Sequence, residues 1–343
     1  MQSEKYSRDN AGQSLKKYIL LKKGELAYNH GASKAKQYGC CYELTENEAR
    51  IPYVYHCFKI SGTEHTPYVA TALNNPKIDR QLKRLVSSSV RMDGLLNISF
   101  DDYMSVILHL PSLKEQTHIA DFLKKLDERI TSQEKLVASL KKYKRGVNNQ
   151  ILSQIDNSYN CRLGSVCEIV GGGTPDTLHT EYWGNTVEWF TPSEIGKTKY
   201  VNNSVRKLSD IGLDNSSAKL LPIGTVLLTT RATLGEMSIA KQECSTNQGF
   251  QSLIPHTDRV SSEYLYYMQI IIKPWCEKYA SGNTFREISK SALSDCIIPI
   301  PDRARQEQIV KLLSSIDMLI GAAESISMSL SKIRHGLMQQ LFI

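Results

Sequence analysis

The clearest pattern in the chain is a helix-period repeat of apolar positions that occurs twice. Residues 111–152 match residues 301–342 without a gap when 190 is added to each number. The matching apolar pairs are Ile119 with Ile309, Leu123 with Leu313, Leu126 with Ile316, Ile130 with Ile320, and Leu140 with Leu330. A fixed self-similarity of this kind indicates that one half of the chain duplicates the other.

Each copy predicts one long helix. The sequence from Ser112 to Glu115 is a capping box, while the second copy has Asp302 as N-cap and Arg305 at the place of the reciprocal glutamate. Apolar residues then recur at alternating steps of three and four, which is the spacing of a coiled-coil seam. We expect helices over 111–155 and 299–343 that pair with each other. The alternative is two amphipathic helices packed on separate cores.

Two kinds of position stand out within these helices. The residues expected to share one seam are Leu126, Ile130, Leu140, Ile316, Ile320 and Leu330. Gly146 and Gly336 occupy the same place in both copies, where glycine costs about 1 kcal/mol against alanine. We therefore expect another backbone or a partner subunit to pack closely at the two glycines.

The rest of the chain forms two mixed segments with both strand and helix patterns, residues 1–110 and 161–298. In the first, Ile51–Ile60 and Val106–Leu110 predict strands, and Asn74–Val90 predicts a basic helix. Its basic residues Lys83 and Arg84, with Arg91 beyond, are candidates for holding phosphates, although a solvated helix face explains them equally well.

The second segment has strands that end in polar loops. Gly224–Thr230 and Phe250–Ile254 predict strands, Glu263–Tyr279 predicts a helix, and the glycines of 171–175 predict a tight turn because no P-loop lysine follows. The candidate base readers are Arg231, Asn247, Gln248 and Arg286, and the candidate phosphate-binding residues are Lys197, Lys199 and Lys207.

The two mixed segments resemble each other at a spacing of 200. The sequence from Leu21 to Leu26 matches that from Leu221 to Val226, with a glycine at the fourth place in both. At this spacing nothing in the first half corresponds to residues 161–200. We expect the first segment to be incomplete at its N-terminus.

Composition and missing motifs narrow the function. A net charge of +7 mildly favours nucleic acid as partner, and the eight cysteines show no metal-binding spacing. No Walker A, zinc-protease, hydrolase or S-adenosylmethionine motif occurs, so neither a catalytic residue nor a metal site is expected. The polar start and the lack of a long apolar run predict a cytoplasmic protein without a membrane span.

The alternation of two variable segments with two similar helices resembles the specificity subunits of type I restriction–modification enzymes. The resemblance rests on the helix starts 111–116 and 300–306, the helix ends 146–152 and 336–342, the Gly-Gly-Thr-Pro175 stretch and the downstream Trp-Phe-Thr-Pro192. It implies an α+β fold with two target-recognition domains, separated by the long helices as an antiparallel coiled coil.

The same resemblance implies a function and partners. The chain would read a bipartite site on double-stranded DNA and direct methyltransferase and restriction subunits, without catalysis or a cofactor of its own. S-adenosylmethionine would be bound by the methyltransferase subunits, and ATP and Mg would belong to the partner subunits as well. The alternative is a stand-alone DNA-binding protein or coiled-coil scaffold.

Overall fold

The computed structural model describes residues 18–31, 36–86, 95–156, 159–231, 233–282 and 286–342. The chain divides into two compact units. Unit 1 joins the residues up to Leu136 to those from Ala323 onward, and unit 2 is Val137–Ala322. The division falls inside the two long helices, whereas the predicted domains end at residues 110 and 298.

The described helices include both predicted long ones. They are α1 (Thr66–Ala72), α2 (Pro76–Leu85), α3 (Phe100–Met104), α4 (Leu113–Gln154), α5 (Asp210–Asp214), α6 (Ser262–Tyr267), α7 (Gln269–Tyr279), α8 (Lys290–Ser294) and α9 (Arg303–Leu341). In the part of the chain that the structure describes, none of them carries an apolar stretch that could span a bilayer.

The starts of α4 and α9 follow the predicted caps. The Ser112 Oγ accepts from the Glu115 N–H (3.4 Å), and a Glu115 carboxylate oxygen accepts in turn from the Ser112 N–H (3.1 Å). In α9 the Asp302 carboxylate accepts from the Arg305 N–H (2.8 Å). Both caps satisfy N–H groups that have no partner within their own helix.

Unit 1 contains two small antiparallel sheets. One has the strand order β3-β2-β5 and the other pairs β1 with β4. Their bounds are β1 (Tyr18–Lys22), β2 (Leu26–Asn29), β3 (Cys40–Glu43), β4 (Glu48–Pro52) and β5 (His56–Phe58). Tyr28 stacks on Tyr103 of α3 in the core, with ring centroids 3.8 Å apart.

Two sequence predictions for unit 1 need correction. The strand predicted over 51–60 is divided between β4 and β5, with a turn at residues 53–55. The strand predicted over Val106–Leu110 is wrong, because these residues have no ladder partner. Val106 and Leu108 are half-buried and pack against the core, so their apolar pattern indicates burial and not a strand.

Unit 2 contains a five-stranded mixed sheet, a four-stranded mixed sheet and a two-stranded ladder. The orders are β10-β13-β12-β15-β7, β14-β9-β11-β8 and β16-β6. The bounds are β6 (Asn160–Arg162), β7 (Cys167–Gly171), β8 (Trp183–Gly184), β9 (Val187–Phe190), β10 (Tyr200–Val201), β11 (Arg206–Leu208), β12 (Val226–Leu228), β13 (Met237–Ala240), β14 (Cys244–Thr246), β15 (Gln251–Pro255) and β16 (Ile297–Pro299). The predicted helix over 263–279 is interrupted at Met268 and forms α6 and α7.

The internal repeat at a spacing of 200 is visible in the backbone. Gly24 and Gly224 both have positive φ values, +81° and +85°, which favour glycine. Each precedes an apolar strand, β2 in unit 1 and β12 in unit 2. The two segments therefore enter their central strands through the same turn.

A buried glutamine links each long helix to a short helix of its own unit. In unit 1 the Gln116 side chain accepts from the His65 N–H (2.9 Å) at the start of α1 and donates to the Pro111 carbonyl (2.9 Å). In unit 2 Gln306 accepts from the Ser261 N–H (3.2 Å) at the start of α6. It also donates to the carbonyls of Pro301 (2.9 Å) and Arg259 (2.8 Å). We call this arrangement the glutamine clamp.

Segments of the two long helices contact each other within each unit through equivalent residues. Asp127 pairs with Arg334 in unit 1, and Asp317 pairs with Lys144 in unit 2 (2.5 Å). Adding 190 converts Asp127 into Asp317 and Lys144 into Arg334, so the two ion pairs are the same pair of positions. In unit 1 the buried Gln133 also donates to the Ala323 carbonyl (3.1 Å).

The predicted seam residues differ in burial. Ile316 and Ile320 lie in the main core of unit 2, and Leu140 packs half-buried against them. Leu126, Ile130 and Leu330 are half-buried in unit 1.

Replacing the clamp residue Gln306 by alanine should lower the free energy of unfolding by about 2–3 kcal/mol, because one part-buried N–H and two carbonyls, one buried and one part-buried, lose their partner. Chemical denaturation of the variant measures the change. Gln308→Ala, at an exposed site two residues away, should change stability by less than about 0.5 kcal/mol. Equal effects at both positions would contradict this role of the clamp.

Candidate nucleic-acid interface

Three polar segments of unit 2 meet at one place, where Gly171 and Gln248 are exposed and the four hydroxyl residues Thr229, Thr230, Ser245 and Thr246 are buried. The Thr230 N–H donates to the Gly249 carbonyl (2.7 Å), so the segments 229–231 and 245–249 lie side by side. The Gly173 N–H donates to the Thr246 carbonyl (2.9 Å), and the Thr174 hydroxyl donates to the Gln248 side chain. We call these three segments, 171–174, 229–231 and 245–249, the recognition surface.

The glycines in the recognition surface serve close approach, which corrects the predicted tight turn. Residues 172–176 adopt no regular turn. A Cβ on Gly172 would lie 2.0 Å from the Asn247 carbonyl oxygen, and one on Gly173 would lie 2.3 Å from the Ser217 hydroxyl. Only glycine lets the backbone pass here.

The two candidate arginines are held by neighbours. The Arg231 guanidinium pairs with the Glu287 carboxylate (2.8 Å), and Arg286 donates to the Glu277 carbonyl. Arg231 is half-buried and Arg286 is exposed. The pairing brings residues 286 and 287 beside the recognition surface, so both predicted readers lie in one region, with their donors partly engaged.

The two candidate amides have different settings. The Asn247 side chain accepts from the Gly249 N–H (2.9 Å), which fixes the loop. Gln248 is exposed and its side chain accepts from Thr174. The Gln248 amide N–H groups remain available on the recognition surface, whereas Asn247 is in part a structural residue.

Two of the three lysines predicted to bind phosphate have partners within unit 2. Lys199 donates to the Tyr267 hydroxyl (3.4 Å) and the Ser314 hydroxyl (3.1 Å), and its ammonium lies over the Tyr267 ring. Burial lowers the pKa of Lys199, and the nearby Glu263 and Asp317 carboxylates oppose that shift. In this structure the ammonium is engaged inside unit 2, and its expected role in holding phosphate stays a prediction.

Lys207 is likewise neutralised by a carboxylate. Its ammonium lies 2.5 Å from Glu188, a buried residue that also accepts from the Ser204 N–H. Burial raises the pKa of Glu188, but the Lys207 and Ser204 bonds outweigh it and lower the pKa overall. Lys207 compensates a buried charge, and its predicted phosphate role stays a prediction. Lys197 is exposed and stays a candidate.

The candidates in unit 1 lie on α2. Lys83 and Arg84 are exposed in its last turn, where cations are favoured by the helix dipole. Arg91 lies outside the described residues. The solvated-face interpretation therefore explains Lys83 and Arg84 as well as a DNA contact does.

One functional candidate was missed by the sequence reasoning. Arg206 of β11 is exposed, and its guanidinium carbon lies 3.4 Å from the centroid of Trp183 and 5.5 Å from that of Trp189. The two tryptophans come from β8 and β9, which both pair with β11. No local pattern signals this contact, because strand pairing alone creates it.

The described His, Cys, Asp and Glu residues do not cluster into a metal site. No group of three or more of these described residues could hold a metal ion. Burial raises the pKa values of Cys167, Cys244 and Cys296 to about 12, so these thiols are protonated core residues.

Taken together, the fold defines a duplicated mixed α/β protein in which each unit fastens part of two long helices. The chain belongs to the family of the type I restriction modification DNA specificity domain, whose family model matches residues 156–328. This is the family that the sequence resembles.

Relatives support this assignment over part of their length. The chain is 35% identical over 186 residues to the type I restriction enzyme MjaIX specificity subunit of Methanocaldococcus jannaschii, covering 53% of this chain and 43% of the relative. It is 25% identical over 214 residues to the EcoR124I/EcoR124II specificity subunit of Escherichia coli, covering 58% and 52%. The chain therefore spans about half the length of these relatives.

Solved structures show the same fold over nearly the whole chain. A structure from a study of assembly and conformational transition of the type I R-M system covers 94% of this chain and 82% of its own, with a TM-score of 0.61 and 19% identity. The type I S subunit from M. genitalium covers 96% and 85%, with a TM-score of 0.56 and 15% identity. At such identities the likeness concerns the fold alone.

Replacing Lys199 by methionine should lower the free energy of unfolding by about 1–2 kcal/mol, because two hydrogen bonds of an ammonium are lost while its stem still packs. Chemical denaturation measures the change. The exposed neighbour Lys197→Ala should stay within about 0.5 kcal/mol of wild type. If Lys199→Met is as stable as wild type, the internal role of Lys199 is wrong.

Proposed function

We propose that the chain is the DNA-reading subunit of a type I restriction–modification complex, in which it recognises a bipartite target on double-stranded DNA. The observation that carries the proposal is the duplication: two mixed α/β units, each with its glutamine clamp on a long helix, in a chain of the specificity family. Two similar readers on one chain suit a target with two half-sites.

The long helices would act as a spacer between the two recognition domains. We infer an antiparallel coiled coil along their length. The matched ion pairs Asp127–Arg334 and Asp317–Lys144, one in each unit, support it. In each pair the aspartate comes from the earlier part of one helix and the cation from the later part of the other, as expected when two copies of one helix run antiparallel. A rigid spacer fixes the distance between half-sites.

The same helices would present the docking surface for methyltransferase subunits. A Cβ on Gly146 or Gly336 would meet nothing within 4 Å, so no other backbone among the described residues packs there. Of the two predicted contacts at these glycines, another backbone or a partner subunit, we therefore propose the partner subunit. The helices also expose large apolar side chains, namely Phe122, Leu136, Tyr143, Leu312, Met318, Leu319, Ile326, Met328 and Ile333.

Chemistry in this proposal belongs to the partners. The methyltransferase subunits would bind S-adenosylmethionine and methylate adenine, and the restriction subunits would use ATP and Mg for cleavage. The chain itself would have no catalytic role. The exposed apolar residues on the helices disfavour the alternative of a stand-alone DNA-binding protein or scaffold, since such a protein gains nothing from them.

The proposal is tested by purifying the chain alone and together with the methyltransferase subunit of the same restriction–modification locus. The complex should methylate adenine within one bipartite sequence, and the single chain should show no methylation, cleavage or ATP hydrolysis. Sequencing of methylated DNA identifies the target. Activity of the single chain, or a complex that modifies DNA without preference, would contradict the proposal.

Replacing Lys197 by alanine in this complex should weaken binding to all duplexes alike and reduce the salt dependence by about one unit of slope, if this lysine holds a phosphate. Binding at several salt concentrations measures the slope. An unchanged slope would show that Lys197 does not contact a phosphate.

Gly146→Ala and Gly336→Ala should each stabilise the single chain by up to about 1 kcal/mol, because glycine is a poor helix former and both sites are open. Both should weaken assembly with the methyltransferase subunit, measured by analytical ultracentrifugation. Gly321→Ala is the matched control, since it is helical and open but has Thr131 as its counterpart in the other helix. Unimpaired assembly of all three variants would exclude a partner contact at the glycines.

A further inference from the structure

We infer that Arg206 is a specificity-determining residue of unit 2 that reads a guanine in the major groove of the target DNA. This rests on the proposed function and adds one base contact to it. Three features support it: the sheet that places Arg206, the tryptophans that contact it, and the lack of an acceptor for its donors among the described residues.

The strand register places Arg206 next to the recognition surface. Arg206 of β11 lies opposite Trp189 of β9, which in turn lies opposite Ser245 of β14. Residues opposite each other in neighbouring strands point to the same face of a sheet. The Trp189 indole N–H donates to the Gly173 carbonyl (3.0 Å), so the glycine segment of the recognition surface covers this row.

The tryptophans form a fixed platform for the guanidinium. Trp183 and Trp189 meet edge to face, with ring centroids 5.1 Å apart. The Trp183 indole N–H donates to the Asp176 carbonyl (3.3 Å), so both rings are anchored to the stretch that follows β7. The guanidinium carbon lies 3.4 Å from the Trp183 ring centroid, which is a stacking distance, so we expect the anchored ring to hold the guanidinium plane before any ligand arrives.

Arg206 also differs from three other basic residues of unit 2 in having unengaged donors. Arg231, Lys207 and Arg162 each face a carboxylate, from Glu287, Glu188 and Asp295 respectively. Within the described ranges the Arg206 guanidinium makes no ion pair or hydrogen bond, and its side chain is exposed. Its N–H groups can all be offered to a ligand.

This geometry suits a base edge. The N–H groups of a stacked guanidinium point outward in a plane parallel to the ring. Two of them lie side by side and can donate in parallel. Guanine shows two acceptors, O6 and N7, side by side in the major groove, and arginine is their most common partner. Because the plane is already fixed, little conformational entropy is lost on binding. A phosphate could use the same donors without needing the fixed plane, so the guanine contact is the one we propose.

The test uses the complex of the full chain with its methyltransferase subunit and duplexes based on the methylated sequence. Binding of wild type, Arg206→Ala and Arg206→Lys is measured by fluorescence anisotropy on the target and on duplexes with each base pair changed in turn. We expect both variants to bind the target about 5- to 150-fold more weakly and to lose discrimination at one G·C pair. Arg206→Lys should not restore this discrimination, because a lysine ammonium lacks the two parallel N–H donors of a guanidinium.

Arg162→Ala is the matched control, since it removes an exposed arginine of the same unit that already pairs with Asp295; it should leave the target preference intact. Denaturation of the variants, with tryptophan fluorescence as the signal, verifies that they fold.

A preference that survives in Arg206→Ala overturns this inference alone. A uniform loss on all duplexes that lysine restores also overturns it, in favour of a phosphate contact. A wild-type complex without any preferred duplex overturns the proposed function and this inference together.

Discussion

The glutamine clamp is the interaction on which the rest of the structure depends. Gln116 and Gln306 are buried one turn into their helices, and each satisfies an N–H at the start of a short helix together with the carbonyl of the proline that precedes its own helix. A buried amide tolerates few positions, because each unpaired donor or acceptor costs free energy. The clamp thereby fixes where each mixed segment meets its long helix.

Several basic residues of unit 2, Arg231 of the recognition surface among them, have partners within the unit. Glu188 and Glu287 neutralise Lys207 and Arg231, and Lys199 turns inward toward Tyr267 and Ser314. The net charge of +7 therefore overstates how many basic groups near this surface are available to DNA. Because carboxylates engage Lys207 and Arg231, we expect Arg206, which has no ion pair among the described residues, to have a large share in discrimination.

Several features could be predicted from the sequence because they arise from local rules. The capping residues Ser112 and Asp302 mark the starts of both long helices, and the apolar period continues to their ends. Gly24 and Gly224 reveal the second repeat, since a left-handed turn before a strand selects glycine. The strand predicted over 106–110 is wrong because an apolar run indicates burial but does not show whether another strand pairs with its backbone.

The sequence by itself determined the duplication, the long helices and the family, because these depend on periodicity and on residue types at fixed spacing. Only the tertiary structure decided which basic residues are free. Whether Lys199 faces DNA or Tyr267, and whether Arg206 meets solvent or Trp183, depends on which strands and helices become neighbours. Those contacts join residues more than 15 positions apart in the sequence, as Trp189 and Gly173 also do. Local patterns do not show such neighbours, so the contact of Arg206 and the grouping of the candidate residues became visible only in the folded chain.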